Sequence, residues 1–204
     1  GPILRAQKES ILELGDKIIT AETGGVLANK LCQFTSGVCY DEDRMLVGIH
    51  DRKIAALKKV AKSHNGPLLV MCHFKHEQDR IKDAFPEARF FQDTKNLKQE
   101  KALEKAWNDG DVKMLVANPQ SAGHGLNLQY GGNGICWFTP CWSGEYYNQA
   151  NFRLWRTGQE NAVSVYRLIV ENSIDERIVE TLRHKEDQQV EFLKAIERIR
   201  SEAA

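Results

Sequence analysis

The sequence lacks an excess of either charge, a long apolar run and a cysteine framework. Its 204 residues carry 28 Lys+Arg against 28 Asp+Glu, a formal net charge of zero. That balance excludes a module that binds nucleic acid through its overall field and leaves only a local patch for such a role. No stretch approaches the ~20 consecutive apolar residues that a membrane-spanning helix needs, so no membrane partner is expected. The five cysteines are few, scattered and odd in number. Cys32, Cys72, Cys136 and Cys141 stand in apolar surroundings, which points to buried thiols in a reducing compartment. Cys72, His73 and His76 are the only hint of a metal site, and no second pair stands at ligand spacing, so no metal is expected. Repeats and low-complexity segments are absent. With 42% hydrophobic and 27% charged residues, the composition excludes a disordered, collagen-like or purely coiled-coil chain. The length suits one domain, 1–204, with a core that forms without disulfides or metals. The chain opens Gly1-Pro2 rather than with Met, so a fragment of a longer protein is expected.

What is present alternates between strand and helix signals. Leu68–Cys72 is an apolar run behind Gly66-Pro67 and reads as a buried strand. Lys75–Phe85 has helical composition and stops before Pro86; Ala88–Phe91 is a short strand. Leu97–Trp107 reads as a helix with Leu97, Leu103, Ala106 and Trp107 on its apolar stripe. Val112–Ala117, Gly134–Phe138 and Val163–Val170 read as strands, with a helix at 144–157 that Gly158 ends. Strands separated by helices predict an α/β fold with a parallel sheet covered by helices on both faces. The flanks are expected to be helical: a lead-in over 1–50, mainly 3–34, with a helix at 53–63 capped by Asp51, and a long charged helix over 174–204. The latter would open on the capping box Ser173-Ile174-Asp175-Glu176, with Ile174, Ile178, Leu182, Leu193 and Ile196 as its apolar positions.

Three stretches carry chemistry. In Gln149–Gln159, a helix at about 100° per residue would place Gln149, Arg153 and Arg156 within roughly 60° of one another. Adjacent guanidiniums repel unless an anion sits between them, and their planar forks suit phosphate oxygens; a solvated arginine face is the plainer alternative. Ser121–Leu128 contains Gly123-His124-Gly125 just beyond a strand, at the carboxyl end where open α/β sheets place ligands. A plain strand-to-helix turn explains it equally simply. Val70–Phe74 ends a strand on His73 and Phe74, which alone would read as core packing.

Together and in this order, the three resemble the second RecA-like lobe of the Swi/Snf family, within the second superfamily of helicase-like ATPases. Cys72-His73-Phe74 looks like motif four, and Gly123-His124-Gly125-Leu126-Asn127-Leu128 matches the Gly-x-Gly-Leu-Asn-Leu core of motif five. Gln149, Ala150, Arg153, Arg156, Gly158 and Gln159 match motif six, with Trp142 ahead of it. The resemblance spans about residues 28–190. Thr139 stands where the family has Asp, Phe152 where an acidic residue is common, and Lys98-Gln99 where an Arg is common. No Gly-x-x-x-x-Gly-Lys-Ser/Thr occurs in the chain. The resemblance implies that the P-loop belongs to a first RecA-like lobe upstream, so this chain is expected to be inactive alone. It further implies ATP and Mg2+ held mainly by that first lobe, and Arg153, Arg156 and Gln149 as catalytic residues. Gly123, Gly125 and Asn127 would line the nucleotide cleft. His73, Phe74, Lys75, Ser121 and His124 would touch DNA, expected to be double-stranded, in an ATP-driven translocase or remodeller. The alternative is a non-catalytic nucleic-acid-binding or scaffolding module of the same fold. The Gly-His-Gly form resembles phage or bacterial members, which implies a cytoplasmic location.

Overall fold

A computed structural model of the chain describes residues 11–14, 17–20, 24–41, 43–120 and 125–185. Nine strands and six helices are used below, numbered in chain order. The centre is a five-stranded parallel sheet in the order β6-β7-β5-β8-β9. Its strands are β5 (Leu68–Met71), β6 (Arg89–Phe90), β7 (Met114–Ala117), β8 (Gly134–Trp137) and β9 (Ser164–Arg167). Every residue of β5, β7 and β8 is buried, as the apolar runs require of strands covered on both faces.

The two faces separate by alternation. Leu69, Met71, Leu115, Ala117, Ile135 and Trp137 point into one core, and Leu68, Val70, Met114, Val116 and Cys136 into the other. The first core is closed by α1 (Gly24–Ser36), α4 (Leu97–Asn108), α5 (Gly144–Asn151) and α6, residues 174–185, through Phe34, Trp107, Tyr147, Ile178 and Leu182. The second is closed by α2 (Arg52–Ser63) and α3 (Lys75–Ala84), through Ile54, Leu57 and Ile81. The chain passes from β5 outward to β6 and back to β7, then crosses β5 to β8. The order reverses at β5, and the crevice beyond its carboxyl end is where such sheets receive ligands. All five cysteines are free and buried.

Several local expectations need correction. The lead-in is helical only over Gly24–Ser36 among the described residues. Before it, β1 (Ile11–Leu14) pairs antiparallel with β2 (Lys17–Thr20), and after it β3 (Val38–Tyr40) pairs antiparallel with β4 (Leu46–Gly48). Ile11, Ile18 and Ile19 favour strand, and Gly15-Asp16 between the strands is a pair that two-residue hairpin loops favour. Leu97 is 64% exposed in the first turn of α4, so the stripe of that helix runs through Leu103, Ala106 and Trp107 alone. Asp51 occupies the N-cap position of α2, but its carboxylate accepts from Arg80 Nη2 at 2.6 Å rather than capping. At the start of α6, Ser173 Oγ accepts from Asp175 N at 3.2 Å, and it is Asp175, not Glu176, that turns inward. Leu193 and Ile196 lie outside the described residues.

Candidate anion-binding site in the turns after helix α5

The arginines do not sit on a helix. Helix α5 starts at the Ser143 cap, whose Oγ accepts from Tyr146 N at 3.3 Å, and ends at Asn151. Asn151 Oδ1 accepts from Trp137 Nε1 at 3.1 Å, which ties the helix end to β8. Beyond it, Arg153 N and Leu154 N donate to Ala150 O and Asn151 O, each at 3.1 Å, and the coil tightens into turns. Along this stretch of chain Leu154 is fully buried in the first core. Gly158, at φ +99°, then reverses it, a conformation that glycine adopts without strain. The turn leaves Phe152 and Trp155 exposed at 51% and 67%, their rings 5.7 Å apart.

This geometry brings Arg153 and Arg156 to the segment after β7. Arg153 Nη1 donates to Leu126 O at 3.4 Å, and Arg156 Nη1 donates to Asn127 Oδ1 at 2.6 Å. Asn127 is itself held by α4: its N–H donates to Glu104 Oε1 at 3.1 Å, and its carbonyl accepts from Asn108 Nδ2 at 2.7 Å. Arg153 Nε is buried with no hydrogen-bond partner. Burial, and next the charge of Arg156, push the Arg153 guanidinium down from its ordinary value. A cation under that pressure is relieved by an incoming anion, so the pair fits the phosphates of ATP on chemical grounds. Gly125 is in the left-handed region at φ +78°, on the approach to Leu126. Gln159 fastens the turn from below, its Nε2 donating to Gln129 O and Gly132 O, both at 2.9 Å.

Gln149 is not brought to the arginines. Because α5 ends two residues before Arg153, the shared helical face does not form. Gln149 Nε2 instead donates to Glu145 Oε1 at 3.0 Å, beside a hollow of about 600 Å³ that Ser143, Asn148, Leu182 and Lys185 also line. Ser121, Gly123 and His124 lie outside the described residues. Among the described residues no group of three His, Cys, Asp or Glu side chains could hold a metal ion.

At the end of β5, His73, Phe74 and Lys75 form one turn. His73 is half-buried, and desolvation, with the charge of Lys53 second, lowers its imidazole to about 4; it is neutral at pH 7. Lys75 is exposed but paired with Asp79 at 2.7 Å. The backbone N–H groups of His73 and Phe74 both donate to Glu77 Oε2, at 2.7 and 3.1 Å. Sequence reasoning passed over Glu77, as it did Lys53 and Asp175. These three are 0–2% exposed, and Lys53 Nζ lies 2.8 Å from Asp175 Oδ2 and 3.4 Å from Thr139 Oγ1. Thr139, the departure from the family pattern, is buried and donates onward to Glu77 Oε1. The signal was available: Lys53, Glu77 and Asp175 each stand one helical turn before a buried aliphatic residue, Leu57, Ile81 and Val179.

The sheet order and the helices on both faces define a RecA-like lobe, and the turns between α5 and β9 bring two of its arginines together. No family model matches the chain. A protein termed p41 from Acyrthosiphon pisum secondary endosymbiont phage 1 is 36% identical over 199 residues, 94% of this chain and 42% of that protein. A protein of Invertebrate iridescent virus 6 named as helicase 172L is 37% identical over 126 residues, 60% of this chain and 20% of its own length. The DNA repair and recombination protein RAD26 of Saccharomyces cerevisiae is 38% identical over 85 residues, 42% of this chain and 8% of its own. The solved C-terminal part of the Fun30 ATPase domain superposes with a TM-score of 0.57 at 24% identity, over 64% of this chain and 44% of that one. The chain thus spans less than half the length of these relatives. It has the fold of a C-terminal RecA-like lobe and is similar in sequence to the Swi/Snf-like helicase-related proteins among these relatives. No helix among the described residues is long and apolar enough to cross a membrane.

Proposed function

We propose that this chain is the second motor lobe of a nucleic-acid-dependent ATPase and that Arg153 and Arg156 are its arginine fingers. The observation that carries the reading is the pair itself: two neighbouring guanidiniums in the turns between α5 and β9, one with a buried, unpartnered Nε. ATP supplies the γ-phosphoryl group whose negative charge such fingers stabilise as it is transferred. Leu126 O and Asn127 Oδ1 orient the two side chains, and Glu104 and Asn108 hold Asn127 in place behind them. The phosphate cradle comes from a first lobe in the longer protein, and the two half-sites close around the nucleotide. Double-stranded DNA is the proposed track, gripped without sequence reading near His73, Phe74 and Lys75. Gln149 is left out of the catalytic set because its amide is engaged with Glu145.

The test is ATP turnover by the full-length protein with duplex DNA, single-stranded DNA or RNA added in turn, comparing wild type with Arg156→Ala. The expected result is stimulation by duplex DNA, lost by about 10³-fold or more in the variant, about 4 kcal/mol of barrier, with DNA binding kept. Binding to nucleic acid without turnover on any of the three would refute the motor and leave the non-catalytic module.

A further inference from the structure

We infer that Glu77, linked through Thr139 to the buried Lys53–Asp175 pair, is a positioning residue that sets the His73–Lys75 turn for a nucleic-acid backbone and ties that setting to helix α6. The inference rests on the nucleic-acid reading above. Its basis is a chain of polar contacts that crosses the lobe. Thr35 Oγ1 on α1 donates to Asp175 Oδ1 at 2.8 Å; Asp175 Oδ2 meets Lys53 Nζ on α2 at 2.8 Å; Lys53 reaches Thr139 Oγ1, beyond β8, at 3.4 Å. Thr139 donates to Glu77 Oε1, and Glu77 Oε2 takes the two N–H groups of the turn. Every side chain in this chain of contacts is 2% exposed or less.

A fully buried carboxylate is a costly way to cap a short helix, which a serine or threonine at the N-cap would do at the surface. The charges do not cancel within the cluster either. Lys53 is in direct contact with Asp175, and Glu77 is met chiefly by three hydrogen-bond donors, with the charge of Lys53 a lesser support. Burial works against ionisation and pushes the Glu77 carboxyl up from its ordinary value. What the arrangement secures is the turn. Glu77 occupies both amides, so a phosphate at this helix start must be met by side chains whose direction the turn sets. The far side is also fastened: Asn118 Nδ2 donates to His73 O at 3.2 Å, and the Phe74 ring stacks on His76 at 5.2 Å. His76 Nε2 pairs with Ser36 Oγ on α1 at 2.8 Å. The adjustable connection is therefore the Thr139 hydroxyl, which neither touches the arginines nor faces solvent.

The experiment measures duplex-DNA-stimulated ATP turnover of the full-length protein against DNA concentration for wild type, Thr139→Val, Thr139→Ser and Glu77→Gln. Amide exchange over residues 72–77 is followed in the same proteins. Thr139→Val is expected to raise the half-saturating DNA concentration by about 5–10-fold, the scale of one lost hydrogen bond. Turnover at saturating DNA and the KM for ATP stay within about two-fold of wild type, as expected when a mutation removes uniform binding. Exchange of the His73 and Phe74 amides quickens, and Thr139→Ser restores all three readouts. If Thr139→Val does not fold, Glu77→Gln carries the same expected split. Unchanged half-saturation and exchange in the valine variant, or an even loss of turnover that serine does not rescue, overturns the inference alone. Wild-type protein that nucleic acid does not stimulate removes the motor reading, and this inference with it, before any variant is compared.

Discussion

Replacing Lys53 with Met removes the ammonium paired with Asp175, at a point where the two side chains are 2% and 0% exposed. The methionine fills most of the vacated volume, so the loss is electrostatic rather than a cavity. Breaking a buried pair from one side costs about 3–5 kcal/mol, because the remaining charge is left uncompensated. Thr35 Oγ1 and Val170 N still donate to Asp175, at 2.8 and 3.1 Å, which places the expected cost near the lower end, about 3 kcal/mol. For a chain of this length that lowers the melting temperature by roughly 6–12 °C. Urea unfolding followed by tryptophan fluorescence measures it directly, since Trp107 and Trp137 are fully buried. Adding Asp175→Asn to Lys53→Met removes the stranded charge, so the double variant is expected to be more stable than the sum of the single losses by about 1 kcal/mol or more. A single variant costing under about 1 kcal/mol, or strict additivity, would refute the account of an unscreened buried pair.

Two further outcomes follow from the packing. A Cβ at Gly131 would stand 2.2 Å from Trp107 O, so Gly131→Ala must shift the end of α4, at about 1–3 kcal/mol; an unchanged melting temperature would contradict the close approach. The imidazoles of His73 and His76 are each lowered to about 4, chiefly by burial. The unfolded chain therefore binds more protons between about pH 4 and 6.5, and their contribution is intact above that window and lost as pH falls through it, by up to about 2 kcal/mol each at pH 5. The raised carboxyl of Glu77 slopes the other way, so the readout is the difference between wild type and His76→Gln, which is expected to flatten the acid limb. Parallel curves for the two proteins would dismiss the imidazole effect.

The central sheet was legible because strands covered on both faces must be continuously apolar, and Leu68–Met71, Met114–Ala117 and Gly134–Trp137 are. The arginines were legible as residues but not as a geometry. Residues 149–157 favour a helix locally, yet the helix ends at Asn151 and the chain continues in tighter turns. Gln149 lost its assigned place for that reason. The first hairpin was missed because Ile11–Leu14 and Lys17–Thr20 are short apolar runs, ambiguous between helix and strand until paired. Lys53, Glu77 and Asp175 were passed over for a different reason: charged side chains in amphipathic helices are assigned to solvent by default, even when they share a face with the apolar residues. Their partners come from residues as far apart as Thr35 and Asp175, which no local pattern connects.

The bond between Arg156 and Asn127 also bears on rotamer freedom. An arginine side chain carries about 2 kcal/mol of conformational entropy, which a freely moving finger would surrender on meeting its anion. Asn127 Oδ1, at 2.6 Å, already restricts that freedom, and Asn127 cannot drift because Glu104 and Asn108 hold its backbone from α4. For the finger role proposed above, much of the ordering has thus taken place during folding. The guanidinium is a preorganised group, and the association step is correspondingly less penalised.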